Sequence, residues 1–236
     1  MKILTHNILE DNSTIVMTNA DANYPVENIY SNMLEELAQA NASSTVITID
    51  FTADQIVDCL FLGMHNASSI IAVFKNSAAA TLGTVTLTLP TVFEKRYIDT
   101  LTTVRSIEIT LTAAVDEIFI GNFSCGEHTE LHNVRQPMTV EHKDTSMFNQ
   151  TLGGQTMYNT GITLQSFNVD LEKLTDTQVT AFKAAYAQVH KGKCFWLDRY
   201  NDIETEDAIY GIFDANFHTT RNRRLTDLSF SFTEAK

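Results

Sequence analysis

The stretch Gly83-Thr84-Val85-Thr86-Leu87-Thr88-Leu89 decides the fold class most directly. In it, apolar Val85, Leu87 and Leu89 alternate with threonines and a glycine. A period of two is typical of a β-strand that buries one face and leaves the other in water. The stretch therefore predicts a half-buried strand.

Further segments of the first half carry strand signals. These are Thr45–Phe51, Arg105–Thr112, Ile56–Leu62, Ile70–Phe74 and Glu117–Asn122. The first two alternate, whereas the next two are nearly continuous apolar runs, as expected of strands covered on both faces. Several short strands without long helices between them predict an antiparallel β-sandwich. Only Val26–Ala40 has helical spacing of its apolar residues.

The second half combines strands with one helix. Along Ile162–Leu171 the apolar positions slip from even to odd, which predicts a β-bulge near Gln165–Ser166. Thr175 and Gln178 have capping-box spacing. A helix should follow, with one apolar stripe and an end at Gly192; the stripe is Val179, Phe182, Tyr186 and Val189. Further strands are predicted at Lys193–Leu197, Ala208–Phe213, Asn216–Thr219 and Leu225–Phe232.

The charge is unevenly distributed between the halves. Residues 1–130 contain 16 acidic and 5 basic residues, a net of −11, and residues 131–236 contain 13 and 11, a net of −2. The two values sum to the net charge of −13. We predict two domains, a β-sandwich at 1–130 and an α+β domain at 131–236 with one helix on an antiparallel sheet. An acidic surface repels phosphate, so nucleic acid is excluded as a partner.

Motifs for chemistry and for membranes are missing from the sequence. It has no phosphate-binding glycine loop, no nucleophile elbow and no His-Glu-x-x-His pair. The N-terminus lacks the apolar core of a secretory signal, and no apolar run suffices for membrane insertion. We therefore predict a protein made in the cytoplasm that is not an enzyme and has no catalytic residue, cofactor or metal.

Two groups of residues contain possible metal ligands, and each also has a simpler interpretation as solvated surface. His128 and His132 are four residues apart, but they lie in a segment that is typical of a linker. Five acidic residues crowd one loop without the order of a calcium-binding EF-hand, which favours a solvated hairpin. These are Asp198, Asp202, Glu204, Glu206 and Asp207.

The first half resembles the discoidin-like family of coagulation-factor C-type domains. The matching runs are Asp21–Tyr30, Ala42–Phe51 and Val104–Thr110. The resemblance implies a galactose-binding-like jelly roll. It also implies an alternative function, recognition of host surface glycans through two loops. The candidate loop residues are Asn23, Tyr24, Asn28, His65 and Asn66. The sequence departs from the family at Ser31–Glu36, which lacks the acidic-glycine turn and the tryptophan expected there.

The second half is similar to a module of bacteriophage tail and baseplate proteins. The shared runs are Leu152–Gly154, Phe167–Leu171, the helix from Leu174, and Gly192–Asp198. The resemblance implies a structural component of a virion, made in the host cytoplasm. Neither resemblance implies a cofactor or a catalytic residue.

The leading hypothesis is therefore an assembly protein that contacts other virion proteins and forms a homo-oligomeric ring. A closed ring needs complementary patches, which the acidic first half and a basic cluster in the second half could supply. The predicted interface residues are Phe195, Trp196, Leu197, Arg221, Arg223 and Arg224. In the alternative hypothesis, the first half binds host surface glycans and not other virion proteins.

Overall fold

The structure is a computed structural model that describes most of the chain. The described residues are 1–4, 6–10, 13–30, 36–88, 93–132, 134–135, 139–144, 147–150, 156–159, 163–189, 195–198, 208–222 and 225–234. They are mainly β, with antiparallel strands and a single α-helix. The chain divides into two compact units: Met1–Glu130 with Phe195–Ile209, and Leu131–Cys194 with Tyr210–Lys236. No helix of the described part is both long and apolar enough to cross a membrane.

The first unit contains ten of the described strands. They are β1 (Lys2–Leu4), β2 (Ser13–Met17), β3 (Ala38–Ala40), β4 (Ser44–His65), β5 (Ser69–Lys75), β6 (Thr81–Thr88), β7 (Phe93–Thr112), β8 (Ile118–Gly126), β9 (Thr129–Glu130) and β14 (Phe195–Asp198). The alternation identified in the sequence is confirmed at Val85 and Leu87, which are buried while Thr84 and Thr86 are exposed. Leu89, the third predicted inward residue, lies outside the described part. The segment Phe195–Ile209 belongs to this unit, whereas the sequence analysis placed it in the second domain.

The two longest strands, β4 and β7, build both layers of a sandwich. They pair from Ser44↔Thr112 to Asp50↔Ser106 and again from Val57↔Leu101 to Gly63↔Phe93, with register shifts between the two stretches. The first stretch joins β2, β5 and β6, and the second joins β8 and β3. Apolar side chains of both stretches meet in one hydrophobic core. Bulges of this kind let one strand leave one layer and enter the other.

The predicted helix at Val26–Ala40 is wrong for half of its described residues. Only Val26–Tyr30 is helical, as a short 3-10 helix, and Ala38–Ala40 pairs with β8 as a strand. Residues 31–35 lie outside the described part. The side-chain amide of Asn28 donates to the Leu37 carbonyl at 2.9 Å. Tertiary pairing therefore overrides the helical spacing.

The two continuous apolar runs differ in their surroundings. In the predicted run Ile56–Leu62, the residues Val57–Leu62 are buried as predicted, whereas Ile56 is 42% exposed. On the outer face of this run, Trp196 of β14 stacks on Phe61. In β5 the outer face stays open, so that Ile71 is 36% exposed. The prediction that Ile70–Phe74 is covered on both faces is wrong.

The second unit contains a larger antiparallel sheet, a separate two-stranded sheet and one helix. Its described elements are β10 (Thr139–Asp144), β11 (Met147–Gln150), β12 (Thr156–Asn159), β13 (Thr163–Leu174), α1 (Asp176–Val189), β15 (Ala208–Asn222) and β16 (Leu225–Glu234). The strand β13 pairs with β10 and β16, and β16 pairs with β15. From α1, Phe182 contacts Phe213 and Phe230 at ring-centroid distances of 6.1 and 5.3 Å. The predicted helix end, at Val189 and Gly192, and the predicted start of the next strand, at Lys193 and Cys194, lie almost entirely outside the described part. Of these four residues, the structure describes only the backbone of Val189.

Two irregularities of this sheet were misplaced by the sequence analysis. The register runs unbroken through Gln165–Ser166, and the shift in β13 lies between Leu171 and Leu174. Lys173 has a φ of 54° there, and its amide donates to Asp227 at 2.8 Å. The apolar slip instead reflects Leu164, which lies half-buried on the opposite face from the buried Phe167. The two strands predicted at 208–219 form one strand with a register shift after Phe213.

The capping box that begins α1 is confirmed. The Gln178 amide donates to Thr175 Oγ1 at 3.4 Å, and the Thr175 amide donates to Gln178 Oε1 at 2.9 Å. Two amides at the helix start thus find partners that the helix itself cannot supply.

We expect Thr175→Ala to lower the free energy of unfolding of the second unit by about 1 kcal/mol, because one capping acceptor is lost. Urea unfolding followed by circular dichroism measures the change. Thr177→Ala, at an exposed position in the same helix, is the matched control and should change stability by less than about 0.5 kcal/mol. Equal losses in both variants would contradict a specific capping role.

Candidate functional site

A buried ion pair joins β7 to β14 within the first unit. Lys95 Nζ lies 2.9 Å from Asp198 Oδ1, and the two side chains are 1% and 0% exposed. The hydroxyl of Tyr97 donates to the other oxygen of Asp198 at 2.6 Å. Burial, followed by the contact with Asp198, raises the pKa of Tyr97 far above its ordinary value. These three residues form a network of satisfied charges that holds the two strands together.

The neighbouring residues of β14 are also buried. Trp196 stacks on Phe61 with a centroid distance of 5.3 Å, and its indole N–H donates to Asn122 Oδ1 at 3.1 Å. Phe195, Trp196 and Leu197 are at most 2% exposed. The prediction that Phe195, Trp196 and Leu197 form a docking surface is wrong, because these side chains lie in the interior of the first unit.

The predicted basic cluster lies only partly in the described residues. Arg221 is exposed on β15, and its guanidinium lies 3.7 Å from the carboxylate of Asp176. Arg223 and Arg224 lie outside the described part, as do Asp202, Glu204, Glu206 and Asp207. Asp198, the remaining member of the predicted acidic loop, is the partner of Lys95. That pairing explains its burial without a metal.

A second polar cluster lies at the bulged middle of β4 and is called the Asp58 cluster: Asp58, Cys59 and His128. Asp58 Oδ1 accepts a hydrogen bond from the His128 amide at 2.9 Å and lies 3.0 Å from His128 Nδ1. Burial raises the pKa of Asp58, but the contacts with His128 outweigh it and lower the net pKa. Burial, with the nearby Asp58 charge, raises the pKa of Cys59 well above its ordinary value. Cys59 is therefore a thiol and a poor nucleophile. His132, its predicted companion in the linker, is exposed.

The last residue of β4, His65, is the most unusual polar side chain of the described part. It is 5% exposed, and neither ring nitrogen has a hydrogen-bond partner. Burial lowers its pKa, and the nearby carboxylate of Glu94 offsets this only in part. The imidazole is therefore neutral near pH 7, with one N–H donor and one nitrogen acceptor. A buried polar group without partners is rare in folded proteins.

Two charged residues of β7 complete what we call the end site: His65, Glu94 and Arg96. The register places Glu94 opposite Leu62 of β4, three residues before His65. Glu94 is 5% exposed, whereas the Arg96 side chain is 39% exposed and approaches Glu94 to 4.0 Å. The end site thus combines a neutral donor–acceptor ring, a carboxylate and a guanidinium. Groups of these types bind hydroxyl pairs, because a hydroxyl both donates and accepts hydrogen bonds.

The predicted glycan loops border the end site through the start of β8. His65 pairs with Ile120, and the side chain of Asn66 accepts from the Phe119 amide and donates to the Glu117 carbonyl. Gln39 of β3 pairs with Phe119 and also donates to the Tyr24 carbonyl. The sequence-predicted loops therefore lie at the same end of the sandwich.

The loop residues differ in how free their side chains are. Asn28 and Asn66 use their amides to hold backbone groups, so they shape the loops. Asn23 is exposed, and Tyr24 is 44% exposed. Of the five predicted residues, His65 alone combines deep burial with unpaired polar atoms.

The sequence analysis did not identify Glu94, Arg96 or the Lys95–Asp198 pair. A usable signal was present in the run Glu94-Lys95-Arg96-Tyr97, in which four consecutive polar residues lie within a segment that is otherwise typical of a strand. Period two sends Lys95 and Tyr97 to one face and Glu94 and Arg96 to the other. The sequence does not show which residues these side chains contact, because the partners are distant in sequence. Lys95 and Asp198, for example, are 103 residues apart.

Comparisons with known proteins give only weak similarities. No family model and no curated protein matches the chain. A Ruminococcus gnavus GH29 fucosidase in complex with fucose matches at a TM-score of 0.48 and 14% identity, over 54% of this chain and 28% of the fucosidase. This chain therefore corresponds to only a small part of that enzyme.

Two smaller domains are similar over their whole length. A chitosan-binding module of a chitosanase/glucanase from Paenibacillus sp. IK-5 has a TM-score of 0.43 and 14% identity, over 52% of this chain and 99% of the module. A fucose-binding module from Streptococcus pneumoniae has a TM-score of 0.45 and 11% identity, over 52% and 98%. Because these TM-scores are below 0.5, the similarities assign neither a family nor a ligand. Their descriptions mention no phage tail or baseplate protein, so that resemblance of the second half stays a prediction.

We expect Lys95→Met to destabilise the first unit by about 3–5 kcal/mol, because Asp198 is left as a buried, unpaired charge. Lys75→Met is the matched control. Its ion pair with Glu108 is more exposed, at 27% and 41%, and should be worth about 0–1 kcal/mol. Urea unfolding of both variants makes the comparison, and similar losses would contradict the central role of the buried pair.

The lowered pKa of His65 predicts a pH dependence of stability. The unfolded chain binds a proton at this residue near its ordinary pKa of 6.5, whereas the folded chain does so only at lower pH. The free energy of unfolding should therefore decrease as the pH falls below 6.5 and should not change through His65 above it. In His65→Gln this component is lost, so urea unfolding at about pH 8 and about pH 5.5 should show a smaller decrease than in the wild type. An equal decrease in both proteins would contradict the assignment.

Proposed function

We propose that the first unit is a non-catalytic carbohydrate-binding module of the galactose-binding-like jelly-roll type, and that the end site binds sugar hydroxyl groups. The observation that carries this proposal is the buried imidazole of His65, which has no partner for either nitrogen. Both nitrogens are buried, so we propose that the side chains covering His65 move aside when a ligand binds. One sugar hydroxyl then accepts from the N–H, and another donates to the second nitrogen. Binding would thus satisfy two polar atoms that the folded chain leaves unpaired.

The neighbouring groups support the same class of ligand. The half-exposed guanidinium of Arg96, which lies 4.0 Å from the Glu94 carboxylate, can donate hydrogen bonds to sugar hydroxyls. The phenol ring of Tyr24, at the same end of the sandwich, offers an apolar face for a sugar ring. Since His65 ends β4, it borders the loop at residues 66–68.

The charge of the unit narrows the ligand class. Residues 1–130 carry a net charge of −11, and Phe195–Ile209, which belongs to the same unit, adds five acidic and one basic residue. Such a surface repels sulfate and carboxylate groups, so we propose neutral or amino sugars in preference to acidic glycans. Raising the salt concentration should weaken this discrimination, because it screens the repulsion.

A glycan array probed with the full chain tests the proposal. The first panel contains fucosylated, galactosylated, chitosan-derived and sulfated oligosaccharides. We expect binding to neutral or amino-sugar glycans, and a loss of affinity of about tenfold or more in His65→Phe, because removing buried hydrogen-bond partners costs on the order of 1–3 kcal/mol. His132→Phe replaces an exposed histidine and is the matched control.

Two results would contradict carbohydrate binding at the end site. One is the absence of binding across the whole panel by a folded chain. The other is binding that His65→Phe and Glu94→Gln both leave unchanged.

The assembly role inferred from the sequence, in a phage tail or baseplate, stays a second proposal. Its support is the sequence resemblance of the second half together with surface apolar residues of that unit, Val140 and Leu225, which are 41% and 39% exposed. Location in a virion and contacts with other virion proteins belong to the same proposal. Light scattering of the full chain distinguishes the assembly role from carbohydrate binding. A ring would give a defined oligomer whether or not a glycan is present.

A further inference from the structure

The Asp58 cluster has the donor atoms of a metal site. One carboxylate oxygen of Asp58, the sulfur of Cys59 and a ring nitrogen of His128 all lie within 4.8 Å of one another. Oxygen, sulfur and imidazole nitrogen together are ligands that zinc accepts, whereas calcium and magnesium require oxygen alone. From this arrangement we propose that Asp58, Cys59 and His128 bind one divalent cation of the zinc class.

The local fold explains why two consecutive residues can serve the same ion. Neighbours in a regular strand point to opposite faces. The pairing of β4 with β7 shifts register on both sides of Val57, immediately before Asp58 and Cys59. The resulting bulges change the direction of the side chains, so that Asp58 and Cys59 both face His128.

The chain after β8 brings His128 to the cluster. Cys59 pairs with Gly126, and the Cys59 thiol donates to the Gly126 carbonyl at 3.4 Å. A Cβ at Gly126 would lie only 2.8 Å from the His6 carbonyl oxygen, so only glycine fits there. The ring of His128 then packs edge-on against Tyr97 at 5.3 Å, which orients the imidazole.

An independent observation points to a missing ligand. His128 Nδ1 is buried and has no hydrogen-bond partner, although it lies 3.0 Å from Asp58 Oδ1. The distance is short, but the geometry is not that of a hydrogen bond. A metal ion would use the Nδ1 lone pair and the Asp58 carboxylate together.

The charges also balance. On binding, the Cys59 thiol loses its proton to solvent and the sulfur bonds to the metal, so that one thiolate and one carboxylate neutralise the double positive charge. Burial alone disfavours that thiolate, and the metal supplies the compensation.

The proposed metal is structural and independent of sugar binding. It would fasten the segment that leads from β8 into β9 onto β4. Cys59 and His65 are six residues apart on β4, which corresponds to roughly 20 Å along a strand. Variants of one site should therefore leave the other unchanged.

Cobalt(II) is the probe for the test, because a cobalt–thiolate bond gives a charge-transfer band in the near ultraviolet. We expect the reduced full chain to bind one cobalt ion with this band, zinc to displace it, and one proton to be released per metal. Cys59→Ser should abolish the band, and His128→Gln should weaken cobalt binding by about tenfold or more.

Cys125→Ser is the matched control, since Cys125 is also fully buried but is not part of the cluster. It should keep the band, as should Cys194→Ser. If Cys59→Ser fails to fold, Asp58→Asn and His128→Gln carry the test through their affinities. The proposal is overturned if the folded wild type shows no thiolate band at saturating cobalt, or if Cys125→Ser or Cys194→Ser loses the band while His128→Gln keeps full affinity.

Discussion

The pairing of β4 with β7 is the constraint on which the first unit depends. These strands contribute to both layers because their register shifts between Asp50 and Cys59, and the same shifts place polar side chains where a regular strand would not. One strand therefore carries the Asp58 cluster at its bulged middle and His65 at its end. Both candidate sites follow from how the sheet closes around its core, with the buried pair Lys95–Asp198 securing the outer face.

Local patterns predicted the strands well, and they failed where tertiary pairing decides the outcome. The alternation at Val85 and Leu87 reports a one-sided strand because burial itself has a period of two. Within Val26–Ala40, the described residues Ala38–Ala40 pair with β8 as a strand, and this contact cannot be read from the helical spacing. The capping box at Thr175 was predictable because all of its contacts are local.

The candidate sites were only partly predictable for the same reason. His65 was identified through its loop, but its lack of partners and the approach of Glu94 depend on the register between strands about 30 residues apart. Trp196 was predicted as an interface residue because aromatic residues are common both at interfaces and in protein cores. The sequence alone does not distinguish the two locations. The burial of Trp196 against Phe61 depends on a contact that joins distant parts of the sequence. The sequence around His128 was interpreted as a linker without a metal, whereas the structure brings His128 next to Asp58 and Cys59 of β4.

The central claim is that the unpaired nitrogens of His65 form the floor of a sugar-binding site. Nitrogen-15 NMR of the imidazoles, with His65 assigned through His65→Gln, tests it most directly. With a saturating saccharide, we expect both ring nitrogens of His65 to shift as they gain hydrogen bonds, while the exposed His132 keeps its signals. A saccharide that saturates the chain and leaves both His65 nitrogens unchanged would contradict the account.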